Sequence, residues 1–148
     1  MGDVIILRVR FVLDTDVIVA AMRSPAGASA SILRAARRAE VRLLANVALA
    51  LEYEAICRRP EHRHAAGLSM EDVEVFLDAV IAMTEPVRTH FMWRPLLRDP
   101  DDEFVLEAAV NGGADAIVTF NGRAFGAAPA RFGLDVLTPS QAIRRMRS

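Results

Sequence analysis

Two carboxylates one residue apart, Asp14 and Asp16, interrupt the apolar run FVLDTDVIV that spans residues 11–19. Burying a charge is expensive unless it is paired or holds a metal, so an acidic pair ending a buried strand points to a site. The plainer reading is a strand that stops and caps a helix. Three further polar positions share this character. Glu52 lies in VALALEYEAICR, residues 47–58, where Ala48, Leu49, Ala55 and Ile56 stand three and four residues away, so it faces inward. Glu54 instead has Arg58 four residues on, the spacing of an exposed helical ion pair. In RDPDDEFVLEAAV, residues 98–110, Asp99-Pro100 reads as N-cap and first helical residue. Asp102 then falls in the first turn, on the face of Val105, Leu106 and Ala109, although the helix dipole alone also favours an acid there. Asn121 follows the strand-like AIVTF as Asp14 follows the first strand.

If Asp14, Glu52 and Asp102 meet at about 5 Å, each ionised pair repels by roughly 3 kcal/mol at an effective dielectric of 20. Three such pairs cost about as much as the whole stability of a domain, and a divalent cation removes the cost. Oxygen ligands without cysteine or histidine at metal spacing select a hard ion, Mg²⁺ or Mn²⁺. His62 and His64 alternate in RRPEHRHAAG, which reads as a loop, and suit a surface pair or a substrate contact better than a zinc site. His90 has no evident partner in the sequence.

The elements that must position these groups alternate along the chain. Residues 9–13, 41–45, 116–119 and 134–137 are short β-type runs, and 29–39, 47–58, 69–83 and 100–111 have helical spacing. Ser69 with Asp72, and Thr138-Pro139 with Gln141, read as helix starts with an acceptor at the third position. Strands separated by helices predict an α/β sandwich, with helices on both faces of a mostly parallel sheet whose sites lie beyond the carboxyl ends of the strands. At 148 residues a single domain over 1–148 is expected, with no repeat or linker. The single cysteine, Cys57, permits no internal disulfide and fits a small core residue in a reducing compartment, so the cytoplasm is the expected location. The apolar opening MGDVIILRVRF carries Arg8 and Arg10 and is too short for a signal peptide or a membrane span. Net charge is −1, so no overall field argues for nucleic acid. Apart from the histidines all 18 basic residues are arginine, and the clusters 34/37/38, 58/59/63 and 144/145/147 suit either phosphate recognition or solvated helix faces.

FVLDTDVIVAAM, ALEYEAICRRPEH, LRDPDDEFVLEAA and GADAIVTFNGRAF, in this order over nearly the whole chain, resemble the PIN domain, and in particular the VapC-like toxins of bacterial toxin-antitoxin systems. The resemblance implies a metal-dependent ribonuclease in which Asp14, Glu52 and Asp102 bind Mg²⁺ or Mn²⁺ and Asn121 orients a water or a substrate oxygen. Asp16 and Asp99 would support the site, Thr15 and Thr119 would donate to a phosphate, and Arg23, Arg58 and Arg123 would hold the RNA backbone. It further implies a small cognate antitoxin, seated on apolar residues of 47–83 and of HFMWRP with Met92 and Trp93, and leaves room for a homodimer. The chain departs from the family pattern in three places. Asp16 stands where many relatives have Asn, Asn121 occupies the fourth acidic position, and Ala124 precedes Phe125 where an aspartate is usual. Two other readings follow from the same residues: a degenerate PIN domain that binds RNA or a protein without cutting, and a haloacid-dehalogenase-like phosphatase with Asp14 as nucleophile. The absence of lysine and of room for a cap insertion weighs against the phosphatase.

Overall fold

A computed structural model describes residues 8–90 and 96–148. Five strands form one sheet: β1 (Arg10–Leu13), β2 (Arg42–Ala45), β3 (Thr84–Pro86), β4 (Ala116–Val118) and β5 (Asp135–Leu137). Their spatial order is β3-β2-β1-β4-β5 and every neighbouring pair is parallel. The three central strands bury FVL, LLA and AIV, the continuous apolar runs that a sheet covered on both faces requires.

Eight α-helices accompany the sheet among the described residues: α1 (Thr15–Arg23), α2 (Ala28–Arg37), α3 (Val47–Cys57), α4 (Pro60–Ala66), α5 (Met70–Ala82), α6 (Pro100–Gly112), α7 (Ala128–Arg131) and α8 (Pro139–Arg147). The result is the α/β/α sandwich expected from the alternation of elements. Helix α6 lies across β1, β2 and β4 and also meets α3, while α2 packs between α1 and α8. The core gathers Phe11, Ile18, Leu49, Tyr53, Leu106 and Ile117, all fully buried. Both expected helix starts form complete capping boxes, Ser69 with Asp72 and Thr138 with Gln141. No described helix is long and apolar enough to cross a membrane.

Several elements differ from the sequence expectation, each for a physical reason. The run after Asp14, to which the sequence assigned no element, is helix α1, as a strand that stops and caps a helix requires. Its β-branched Val17, Ile18 and Val19 are poor helix formers, but their burial with Ala21 and Met22 outweighs the propensity. RRPEHRHAAG contains helix α4 rather than only a loop: Pro60 sits in its first turn, Glu61 follows, and Gly67 ends it with a left-handed φ of 69°. Strand β3 carries only Thr, Glu and Pro, so it has no apolar signal. It exists through backbone pairing with β2 and through Arg42, whose Nε donates to Glu85 at 2.7 Å. Met92 and Trp93 lie outside the described residues.

The connectivity fixes where a site can form. From β1 the chain moves outward to β2 and β3, then returns through α6 to β4 on the other side of β1. That reversal opens a crevice at the carboxyl ends of β1 and β4, where Asp14 and Thr119 stand.

Candidate active site

Asp14 joins three elements. Its N–H donates to the Val118 carbonyl at 2.9 Å, its Oδ1 caps α1 by accepting from the Thr15 N–H at 2.8 Å, and its Oδ2 accepts from the Thr119 hydroxyl at 2.8 Å. One side chain thus caps α1 with one oxygen and meets the end of β4 with the other. Asp16 is not the cap. It reaches to the β4 end instead, accepting from the Phe120 N–H at 3.1 Å, with the Thr119 hydroxyl at 3.4 Å. That hydroxyl has one proton, given to the nearer Asp14, and Asp16 Oδ1 is buried without a partner. Thr119 is thus engaged inside the protein rather than free to meet a phosphate.

Glu52 is brought in by the anchoring of α3. Asn46 caps this helix by accepting from the Leu49 N–H at 2.9 Å and ties it to α6 by donating to the Phe104 carbonyl at 3.0 Å. The buried Tyr53 hydroxyl donates to the carbonyl of Leu13, the residue before Asp14. The inner stripe of α3 runs through Leu49, Tyr53 and Cys57, so Glu52 sits half-buried at its edge and Ala55 is exposed, a correction to the expected face. Asp102 comes from the first turn of α6, which Asp99 caps through the Asp101 N–H at 2.9 Å. Next to it the buried Glu103 accepts the N–H groups of Leu96 and Leu97 and so fixes the approach to α6. No sequence signal marked that role.

These carboxylates disturb one another. Burial foremost raises the pKa of Asp14, against the hydrogen bonds from Thr119 and Thr15. Asp16 is raised to about 6 by burial and then by Asp14, and Asp102 to about 6 by burial and then by Asp14 and Asp99. Glu52 is raised to about 7, by burial first and by Asp101 next. Among the described residues no three acidic side chains close a ready-made ligand set around one point. The donor chemistry nevertheless fits a hard divalent cation: the groups are all carboxylates, and Asp16 Oδ1 and Glu52 Oε2 are buried without partners. Such an ion would have to draw the side chains together.

Carboxyls whose pKa is raised hold protons in the folded protein that the unfolded chain releases, so their contribution is greatest at acid pH and is lost as pH rises. Melting of the metal-free protein, followed by circular dichroism, should move to lower temperature from about pH 4 to about pH 7. Mn²⁺ should restore more stability at the upper end than at the lower. A melting temperature independent of both pH and Mn²⁺ would count against the cluster.

Asp102 also belongs to a cleft of about 650 Å³, with Asp99 and Asn121 on its walls. Three arginines, Arg98, Arg123 and Arg131, line the same cleft. Of the arginines expected at the rim, Arg123 is there. Arg58 is not: its guanidinium is held by Glu74 at 2.6 and 2.9 Å and by Glu54 at 3.4 Å. Arg23 ends α1, nine residues and about 13 Å of helix from the Asp14 cap. Arg98 and Arg131 escaped the sequence reading because only the meeting of the α6 approach with α7 brings them together.

The family model for the PIN domain matches residues 10–123, from the start of β1 to the turn after β4. The chain belongs to the PIN domain family. This range contains Asp14, Glu52, Asp102 and Asn121, and membership sets aside the haloacid-dehalogenase reading of the D-x-D pair. In fold, the PIN domain is similar to a chain of the crystal structure of VapBC2 from Rickettsia felis bound to a DNA fragment from their promoter. The TM-score is 0.57 at 16% sequence identity, over 87% of this chain and 98% of that one. No curated protein gives a significant sequence match.

Proposed function

We propose that this PIN domain is a metal-dependent ribonuclease that hydrolyses RNA phosphodiester bonds and serves as a VapC-like toxin held silent by a cognate antitoxin. The observation that carries the reading is the juxtaposition of an uncompensated carboxylate cluster with an arginine-lined cleft, joined through Asp102. Asp14, Glu52 and Asp102 would hold Mg²⁺ or Mn²⁺, with Asp16 and Asp99 in support. Such an ion, when bound, supplies activation of a water nucleophile and neutralisation of charge at the phosphate. The chain's own residues do the rest. Arg98, Arg123 and Arg131 offer planar forks to phosphate oxygens, and binding through them should weaken as salt is added. The Thr119 hydroxyl and the Thr15 N–H orient the two oxygens of Asp14, and the Phe120 N–H holds Asp16. Asn121 stands exposed on the cleft wall, where its amide can orient a water or a substrate oxygen. Exposed Leu51 on α3 and Val75 and Ile81 on α5 supply apolar surface for an antitoxin.

Purified protein should cut single-stranded RNA with Mn²⁺ and stop when a chelator is added. Expression alone in bacteria should slow growth, and co-expression of the neighbouring gene should relieve it. Normal growth with folded protein and no cleavage would favour the second reading, a PIN domain that binds without cutting. The neutral Asn121 and Ala124 on the cleft wall speak for that reading. They also make a prediction about affinity. A carboxylate in place of the amide adds charge to the ligand field, so Asn121→Asp should tighten Mn²⁺ binding by about tenfold in a calorimetric titration. Equal affinities would place Asn121 beyond reach of the ion.

A further inference from the structure

Phe120 is 57% exposed, whereas Phe11 and Phe125 are fully buried. Isolated exposed apolar residues are common, and exposure alone says little. Its position says more. The residue before it, Thr119, gives its hydroxyl to Asp14, and the residue after it, Asn121, lines the arginine cleft. The Phe120 N–H itself donates to Asp16 at 3.1 Å. The backbone on either side is held as well, by the Thr119 N–H on the Leu137 carbonyl at 2.9 Å and the Asn121 N–H on Thr119 Oγ1 at 3.0 Å. The ring is therefore presented to solvent from an anchored turn, one residue from the carboxylate cluster and one from the cleft.

On the reading of this site as a ribonuclease, we infer that Phe120 is a stacking platform for a nucleobase adjoining the phosphodiester in the cleft. Arginine forks recognise the phosphates whatever the base, and an aromatic face adds a surface on which an unpaired base can lie. Bases in a duplex are already stacked and do not offer that face. The preference for unpaired RNA thus comes from a residue that touches neither the ion nor the phosphate.

The experiment measures fluorescence anisotropy of a short labelled single-stranded RNA of mixed sequence, and of a matched strand lacking its central bases. Both are titrated with Asp14→Asn protein in Mg²⁺, so that the strands remain intact. Adding Phe120→Ala should weaken binding of the base-bearing strand by about tenfold and leave the abasic strand nearly unchanged, while Phe120→Trp should keep full affinity. Thermal melts of each variant report the fold. Unchanged affinity for both strands in Phe120→Ala overturns the stacking role and leaves the ribonuclease reading standing. Equal losses on both strands also overturn it, since Phe120 would then be shaping the loop. If neither Asp14→Asn nor the parent protein in Ca²⁺, with its ligands intact, binds either strand, the ribonuclease reading falls and the stacking role falls with it; light scattering that shows self-association lost in Phe120→Ala would then assign the ring to a protein contact.

Discussion

Asp14→Asn is expected to slow RNA cleavage by at least about a thousandfold while the protein stays folded. Removing one anionic ligand weakens the hold on the ion that neutralises the phosphate, and an amide cannot replace the charge. The fold should survive because Asn is as good an N-cap as Asp, and its oxygen can still accept the Thr15 N–H. In metal-free buffer the variant should be as stable as the parent or more so. Burial already pushes the Asp14 carboxyl toward its neutral form, and the substitution removes its repulsion with Asp16, Glu52 and Asp102. Cleavage assays beside thermal melts in chelator measure both effects, and an active Asp14→Asn protein would sink the proposed site. Asp16→Asn should cost less, because an amide oxygen can keep the bond from the Phe120 N–H.

Glu52→Gln should cost about a hundredfold in turnover, and its neighbour two residues on should cost almost nothing. The contrast is geometric. Glu52 Oε2 is buried without a partner and feels Asp101 and Asp14, whereas Glu54, half-buried on the opposite flank of the Tyr53 stripe, faces Arg58 at 3.4 Å. In Glu54→Gln the Arg58 guanidinium keeps its two bonds to Glu74, so neither fold nor cleft should change. Exposed ion pairs of this kind contribute about 0–1 kcal/mol. Steady-state cleavage by the two variants under the same Mn²⁺ concentration gives the answer. Equal losses would show that the assignment of the two flanks of α3, one to the carboxylates and one to Arg58, is wrong.

What could be read from the chain alone was whatever depends on neighbours a few residues apart. A carboxylate ending an apolar strand, a Ser or Thr with an acceptor three residues on, and Asp99 before Pro100 are local signals, and Asp14, Asp102 and the starts of α5, α6 and α8 stood where those signals put them. Local signals failed where burial or pairing overrode them. Val17, Ile18 and Val19 have strand-type propensity yet fold as helix because the core covers all of α1 but the Asp16, Ala20 and Arg23 stripe, and β3 has no apolar pattern because its partner strand supplies the reason for it. The assembly of the site belonged wholly to the tertiary structure. In a parallel sheet each strand reaches its neighbour only through a long crossover, so Asp14 and Thr119, 105 residues apart, meet through the order of the strands and not through any spacing in the sequence. The same long-range geometry turned Arg58 toward Glu74, set Arg98 and Arg131 beside Arg123, and left Phe120 exposed between the carboxylates and the cleft.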